Sequence, residues 1–228
     1  VATTRNARGE IHPDPFNVAK KCIQYGADSI TIHLREDRRH IIDKDVKKIS
    51  SFKSIPLNLE IASNFEMLKI ALKYKPNFVC IVPEKRNEIT TEGGLNLNLY
   101  KNKIKNIIYI LNNHKIRTSL FINPTLKDIK ISEYINTKCI EIHTGKISNL
   151  IKNNKKYNKE LNKIKICAKY ARSLGLKVHA GHGMDYKTAK ILSRIKEIEE
   201  FNIGHFIIGE SVINGLKKTI LNFKTIIR

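Results

Sequence analysis

Several short apolar runs of this chain end in, or contain, ionisable side chains, where a buried strand would ordinarily carry only hydrocarbon. His33 and Arg35 close one run, and Glu60 sits inside the next. Pro83-Glu84-Lys85-Arg86 follow a third, Glu141 and His143 lie in a fifth, and His182 ends a sixth. Gly204 and His205 lead into a last one. A buried, unpartnered carboxylate is expensive, so Glu60 and Glu141 read as functional. Histidine exchanges protons near neutral pH, and a carboxylate does so when burial raises its pKa. The set therefore points to proton transfer by several acids and bases around one cavity. Side chains alternate direction along a strand, so not all of them can face that cavity. His179 and His143 read as satisfied structural histidines, and His114 as exposed.

Anion sites are marked by glycine and arginine. Gly181-His182-Gly183 stand at a strand end before Asp185 opens a helix, and Gly204 and Gly209 flank the last apolar run. Glycine lets backbone N–H groups approach a ligand, and a helix N-terminus adds favourable partial charge. Arg5, Arg8, Arg35, Arg38 and Arg39 form a second group. Arginine grips phosphate through two parallel hydrogen bonds; ion pairing with Glu36 and Asp37 is the alternative use of the same residues.

The elements that must position these residues alternate. Strands are predicted at 29–34, 57–62, 78–83, 119–123, 139–144, 177–182 and 206–209, with helices between them. Asp14-Pro15 start a helix that Gly26 ends, and Ser63 with Glu66, Thr125 with Asp128, and Asp185 mark further starts. Ile191, Leu192, Ile195 and Ile198 would share one helical face. The stretch from 146 to 174 is long for one crossover and predicts an extra helix. Such alternation means a parallel sheet, closed into a (β/α)8 TIM barrel or open and doubly wound. Seven strands are visible with a helix ahead of the first, so the first strand of a closed barrel is expected before Val1. In barrels the active site lies at the carboxyl ends of the strands, with phosphate at the loops after the last two.

At 228 residues, with 41% hydrophobic and 28% charged side chains, the chain reads as one globular (β/α)8 domain spanning 1–228. No apolar run approaches a membrane span and residues 1–9 carry no signal-peptide core, so the cytosol is the default location. Cys22, Cys80, Cys139 and Cys167 are far apart, fit no zinc spacing and read as reduced. A net charge of +21 raises nucleic-acid binding. Its lysines, however, are spread over nearly every helical segment and form no stripe interleaved with aromatics.

Thr4-Arg5-Asn6-Ala7-Arg8-Gly9, the block His33-Leu34-Arg35-Glu36-Asp37-Arg38-Arg39-His40, and Asn58-Leu59-Glu60 resemble the pyridoxine 5′-phosphate synthase family. So do Val82 to Arg86, Thr90 to Gly94, Glu141 to Gly145, Ala180 to Gly183 and Asn202 to His205. The resemblance covers essentially the whole chain; the eight-residue His-to-His block is specific, the glycine motifs are not. It implies a barrel that condenses 3-amino-2-oxopropyl phosphate with 1-deoxy-D-xylulose 5-phosphate into pyridoxine 5′-phosphate, with no metal or cofactor. By the same resemblance His33 and Glu60 are proton acceptors, His182 the proton donor, and Glu141 the stabiliser of charged intermediates. Arg35, His40 and Thr90 would contact the deoxyxylulose phosphate; Arg8, Gly183, Gly204 and His205 would contact the aminoketone phosphate. A homo-oligomer, up to an octamer, is implied as well. Residues 85–95 are the candidate lid. Two departures stand out: the family's first-strand Asn-x-Asp-His motif is absent, and Glu210 follows Gly209 where a basic residue is expected. Another phosphosugar-handling barrel is the competing enzyme reading. A basic nucleic-acid-binding protein and an inactive scaffold compete from other classes.

Overall fold

A computed structural model describes residues 1–84 and 93–227. Helices α1 (Ala2–Asn6) and α2 (Pro15–Gln24) precede strand β1 (Ile30–His33). Then follow α3 (Asp43–Ser50), β2 (Leu57–Ala62), α4 (Phe65–Tyr74), β3 (Phe78–Val82), α5 (Leu97–Asn113) and β4 (Arg117–Ile122). The second half runs α6 (Leu126–Tyr134), β5 (Cys139–His143), α7 (Gly145–Lys152), α8 (Asn158–Ser173), β6 (Lys177–Gly181) and α9 (Tyr186–Leu192). Strand β7 (Ile198–Asn202), α10 (His205–Asn214) and α11 (Leu216–Ile226) complete it. All described strand pairs are parallel, in the order β1 to β7. The sheet curls until its edges meet: Thr31 Oγ1 on β1 donates to Asn202 Oδ1 on β7 at 3.1 Å.

Alternation along each strand divides the sheet into two unlike faces. Leu57, Leu59, Ile61, Val79, Ile81, Leu120, Ile122, Ile140, Ile142 and Val178 are fully buried in one large apolar cluster with the helices. Helical residues at i, i+3 and i+4 spacing complete it, among them Ile104, Ile107, Ile108 and Leu111 of α5. Burying each such side chain is worth about 1.5–3 kcal/mol. The residues between them in sequence face the concave side, where only Cys80, Val82 and Phe121 form an apolar cluster among the described residues. The rest of that face is polar, and its charge needs another justification than stability.

Six strands lie where the sequence predicts them; the seventh does not. Residues 206–209 fall inside α10, and β7 is Ile198–Asn202 instead. The cause is burial: β7 pairs only with β6 among the described strands, so it tolerates Glu199 and Glu200 and lacks the apolar run of a central strand. Helix α9 ends at Leu192, so Ile195 and Ile198 do not share a helical face with Ile191. Gly209 and Glu210 are therefore interior to α10, not at a strand end, and Glu210 accepts a hydrogen bond from Asn214 Nδ2 at 2.8 Å. The extra helix of the long crossover is present as the pair α7 and α8. Caps form at Asp14, Thr125 and Asp185 as expected, but α4 is capped by Asn64, which accepts from Met67 N, and not by Ser63.

Candidate active site

His33 is the last residue of β1 and stands in register with Glu60 of β2. Its ring lies between two carboxylates, with Nδ1 3.8 Å from Glu60 Oε2 and Nε2 3.6 Å from Glu84 Oε2. Burial raises the Glu60 carboxyl above the usual range, while His33 pulls the other way. Burial also works to raise Glu84, but the contact with His33 and the Glu36 backbone N–H at 2.9 Å outweigh it and keep that carboxyl low. The result is one carboxylate tuned toward a base and one that stays ionised.

Glu141, on β5, is 2% exposed. Asn202 Nδ2 donates to its Oε2 at 2.7 Å, and the Cys80 thiol lies 3.9 Å from the same oxygen. Asn202 is itself fixed by Thr31, whose hydroxyl receives Asn58 Nδ2 at 3.2 Å. The chain of donors runs Asn58 to Thr31 to Asn202 and supplies Glu141 with an N–H. Burial and then the neighbouring Glu60 charge still push the Glu141 carboxyl well above its ordinary value. Gly181 faces this group from β6: a Cβ there would overlap Glu141 Oε1, so only glycine leaves room for the carboxylate.

His182 follows β6 in the left-handed region, at φ 79°. A non-glycine residue there is uncommon and stores strain, and strain of this kind concentrates at functional sites. Thr144 Oγ1 holds the segment, lying 2.8 Å from Gly181 O and 2.7 Å from His182 O. The His182 ring packs at 4.9 Å, centroid to centroid, from His143, and both rings flank Phe121. Burial, and then Lys152, lowers the His182 pKa; burial, and then His182, lowers that of His143 to about 4. Gly145 allows the approach, because a Cβ there would come 2.8 Å from His143 Nε2 and 2.9 Å from His182 Cδ2.

The expected phosphate contacts fall into two groups. Arg35 is 4% exposed, with Nε 3.5 Å from Asp37 and 3.8 Å from Glu84. His40 packs 6.0 Å from His33, its pKa brought down to about 4 by burial, then by His33 and Arg35. On the other side Gly183 follows His182, and Gly204 and His205 open α10 beyond β7. Since β6 and β7 are neighbours, the two loops are adjacent, at the strand ends where barrels hold phosphate. Gly204 and His205 thus begin a helix and do not lead into a strand. Arg8 is exposed in the turn after α1. Thr90 and most of the expected lid lie outside the described residues. Of the remaining arginines, Arg5 forms a buried bidentate pair with Asp45, Arg38 pairs with Asp43 and Glu66, and Arg39 with Asp37. Ion pairing thus accounts for that part of the cluster.

Sequence reasoning assigned no role to Glu84, Asn202 or Cys80, and read His143 as structural although its ring meets that of His182. An alternation count along β5 would have placed His143 on the Glu141 face. His179 lies deeper, 3.5 Å from Glu200, which burial raises while Arg117 opposes. No group of three or more metal-ligating side chains is arranged for a metal ion among the described residues.

A curled parallel sheet with acids and bases at the carboxyl ends of its strands defines a barrel-type α/β enzyme. Solved structures agree on the fold. A 3-hexulose-6-phosphate synthase superposes with TM-score 0.62 at 12% identity, covering 93% of each chain. A 4-hydroxy-2-oxoglutarate aldolase/2-deydro-3-deoxyphosphogluconate aldolase superposes with TM-score 0.65 at 7% identity, covering 94% of this chain and 88% of that one. The family model described as pyridoxal phosphate biosynthesis protein PdxJ matches residues 1–228, and the chain belongs to that family. The pyridoxine 5′-phosphate synthase of Pelagibacter ubique (strain HTCC1062) is 65% identical over 226 residues, 99% of this chain and 95% of the relative. That of Zymomonas mobilis is 48% identical over 220 residues, 96% of this chain and 85% of the relative.

Proposed function

We propose that this chain is a pyridoxine 5′-phosphate synthase that condenses 3-amino-2-oxopropyl phosphate with 1-deoxy-D-xylulose 5-phosphate, releasing phosphate and water. The observation that carries the reading is the gathering of His33, Glu60, Glu141 and His182 on one concave face, with Glu60, Glu141 and His182 shifted from their ordinary pKa values by burial. Ring closure requires an amine to add to a ketone, protons to leave carbon, and water and phosphate to depart. Glu60, raised by burial, is a stronger base than an exposed glutamate, and with His33 it accepts the protons. His182, lowered by burial and Lys152, is a stronger acid when protonated, and it donates to the leaving oxygen. Glu141, with its Asn202 donor, stabilises positive charge as the nitrogen condenses. Arg35, His40 and Thr90 take the deoxyxylulose phosphate; Arg8, Gly183, Gly204 and His205 take the aminoketone phosphate.

We read the chain further as a cytosolic homo-oligomer, a reading supported by four free cysteines and by apolar side chains left exposed on α10, Val212 at 79% and Ile213 at 82%. Light scattering tests the oligomer. The catalytic reading is tested by product formation from both phosphorylated substrates with the full chain and with His182→Asn, because asparagine tolerates the left-handed backbone. Pyridoxine 5′-phosphate from wild type, with a rate at least about 100-fold lower for the variant, is the expected result. No product from folded wild-type protein overturns it.

A further inference from the structure

We propose that Glu84 is a positioning residue for His33, holding the proton on Nε2 so that Nδ1 is the nitrogen that accepts protons from substrate. The inference rests on the reading of His33 as a base and adds a residue to it. The Glu84 side chain is 1% exposed, yet no part of the chemistry assigned above uses it. Its Oε1 is anchored by the Glu36 backbone N–H at 2.9 Å and lies 3.8 Å from Arg35 Nε. That leaves Oε2 directed at His33 Nε2, 3.6 Å away, and both of these buried atoms lack a hydrogen-bond partner. Two buried polar atoms facing each other across less than 1 Å of excess distance are satisfied together by one small ring movement, and catalytic hydrogen bonds often tighten this way when substrate binds. An ionised carboxylate only accepts, so the bond it closes requires hydrogen on Nε2. Nδ1 then carries the lone pair, facing Glu60 Oε2 at 3.8 Å. The groups around the ring are Glu60 from β2, Glu84 beyond β3 and His40 from the loop after β1, with Arg35 of that loop against Glu84. Glu84 thus ties the base to the same loop that carries Arg35.

The test combines nitrogen-15 NMR of the histidine rings with steady-state kinetics on the full chain. His33→Gln identifies the His33 signals and tests the underlying reading, and Glu84→Gln tests the proposal. In wild type, neutral His33 is expected as the Nε2–H tautomer. In Glu84→Gln the tautomers mix and kcat falls about 100-fold, the scale of a lost general base. A wild-type His33 that carries its proton on Nδ1 overturns the proposal whether or not Glu84→Gln folds. So does a folded Glu84→Gln enzyme with wild-type kcat beside an inactive His33→Gln. Full activity in His33→Gln removes the base reading itself, a result distinct from the other two.

Discussion

At the scale of single residues, the concave face trades stability for chemistry. Glu141 is buried with one strong donor, and its carboxyl is held well above the ordinary value by burial and by Glu60. A carboxyl whose folded pKa is raised binds more protons folded than unfolded. Its favourable contribution is therefore complete below the unfolded value, roughly 4.3, and is lost as pH rises toward the folded one. Glu141→Gln keeps the shape without the charge. Its melting temperature should gain on wild type progressively above about pH 4.3 while synthesis of product is lost. Thermal melts across pH, paired with the product assay, check both halves. Asn202→Leu removes the donor and should lower both kcat and stability, the latter by about 1–3 kcal/mol as measured by urea unfolding.

At the scale of elements, the loop that carries Arg35 and His40 is held from outside the barrel. Arg5 of α1 donates two hydrogen bonds to Asp45 of α3, at 2.6 and 2.9 Å, and a third to His40 O at 3.0 Å. Asp45 also accepts from Ile42 N at 3.1 Å, so a single buried carboxylate joins α1, α3 and the end of the loop. Asp45→Ala leaves Arg5 buried without its partner and should cost about 3–5 kcal/mol in urea unfolding. The double variant Arg5→Met with Asp45→Leu should recover most of that loss, because the penalty is an unpaired charge and not a missing attraction. The capping corrections belong to this scale as well. The sequence pattern favours Ser63 through its spacing to Glu66, but Asn64 is an equally competent cap, and the geometry at the end of β2 places Asn64 at the cap position.

For the molecule as a whole, 42 basic against 21 acidic side chains produce a field that attracts anions, the proposed phosphorylated substrates among them. Since that field is screened within about 8–10 Å at physiological salt, kcat/KM should fall as ionic strength rises while kcat changes little. Steady-state kinetics from about 20 to 300 mM salt decide this. Among the described residues no helix is long and apolar enough to cross a membrane.

Sequence by itself determined the alternating parallel architecture and six of the seven described strands, and it singled out the candidate acids and bases. Central strands buried on both faces must be apolar, and so Glu60, Glu141 and His182 stood out against their neighbours. The same rule failed at β7, where a single paired neighbour relaxes the demand and admits Glu199, Glu200 and Asn202, so that no apolar run marks the strand. Only tertiary structure decided what the acids and bases meet. The curl of the sheet brings Asn202 of β7 to Thr31 of β1 and to Glu141 of β5, contacts that span 171 and 61 residues of sequence. The loop after β3 delivers Glu84 to His33 at the end of β1, a contact between residues far apart in sequence. Residue type and local pattern carry the hydrophobic bookkeeping of each strand. Hydrogen bonds between distant strands depend on closure and register, and those are properties of the assembled sheet.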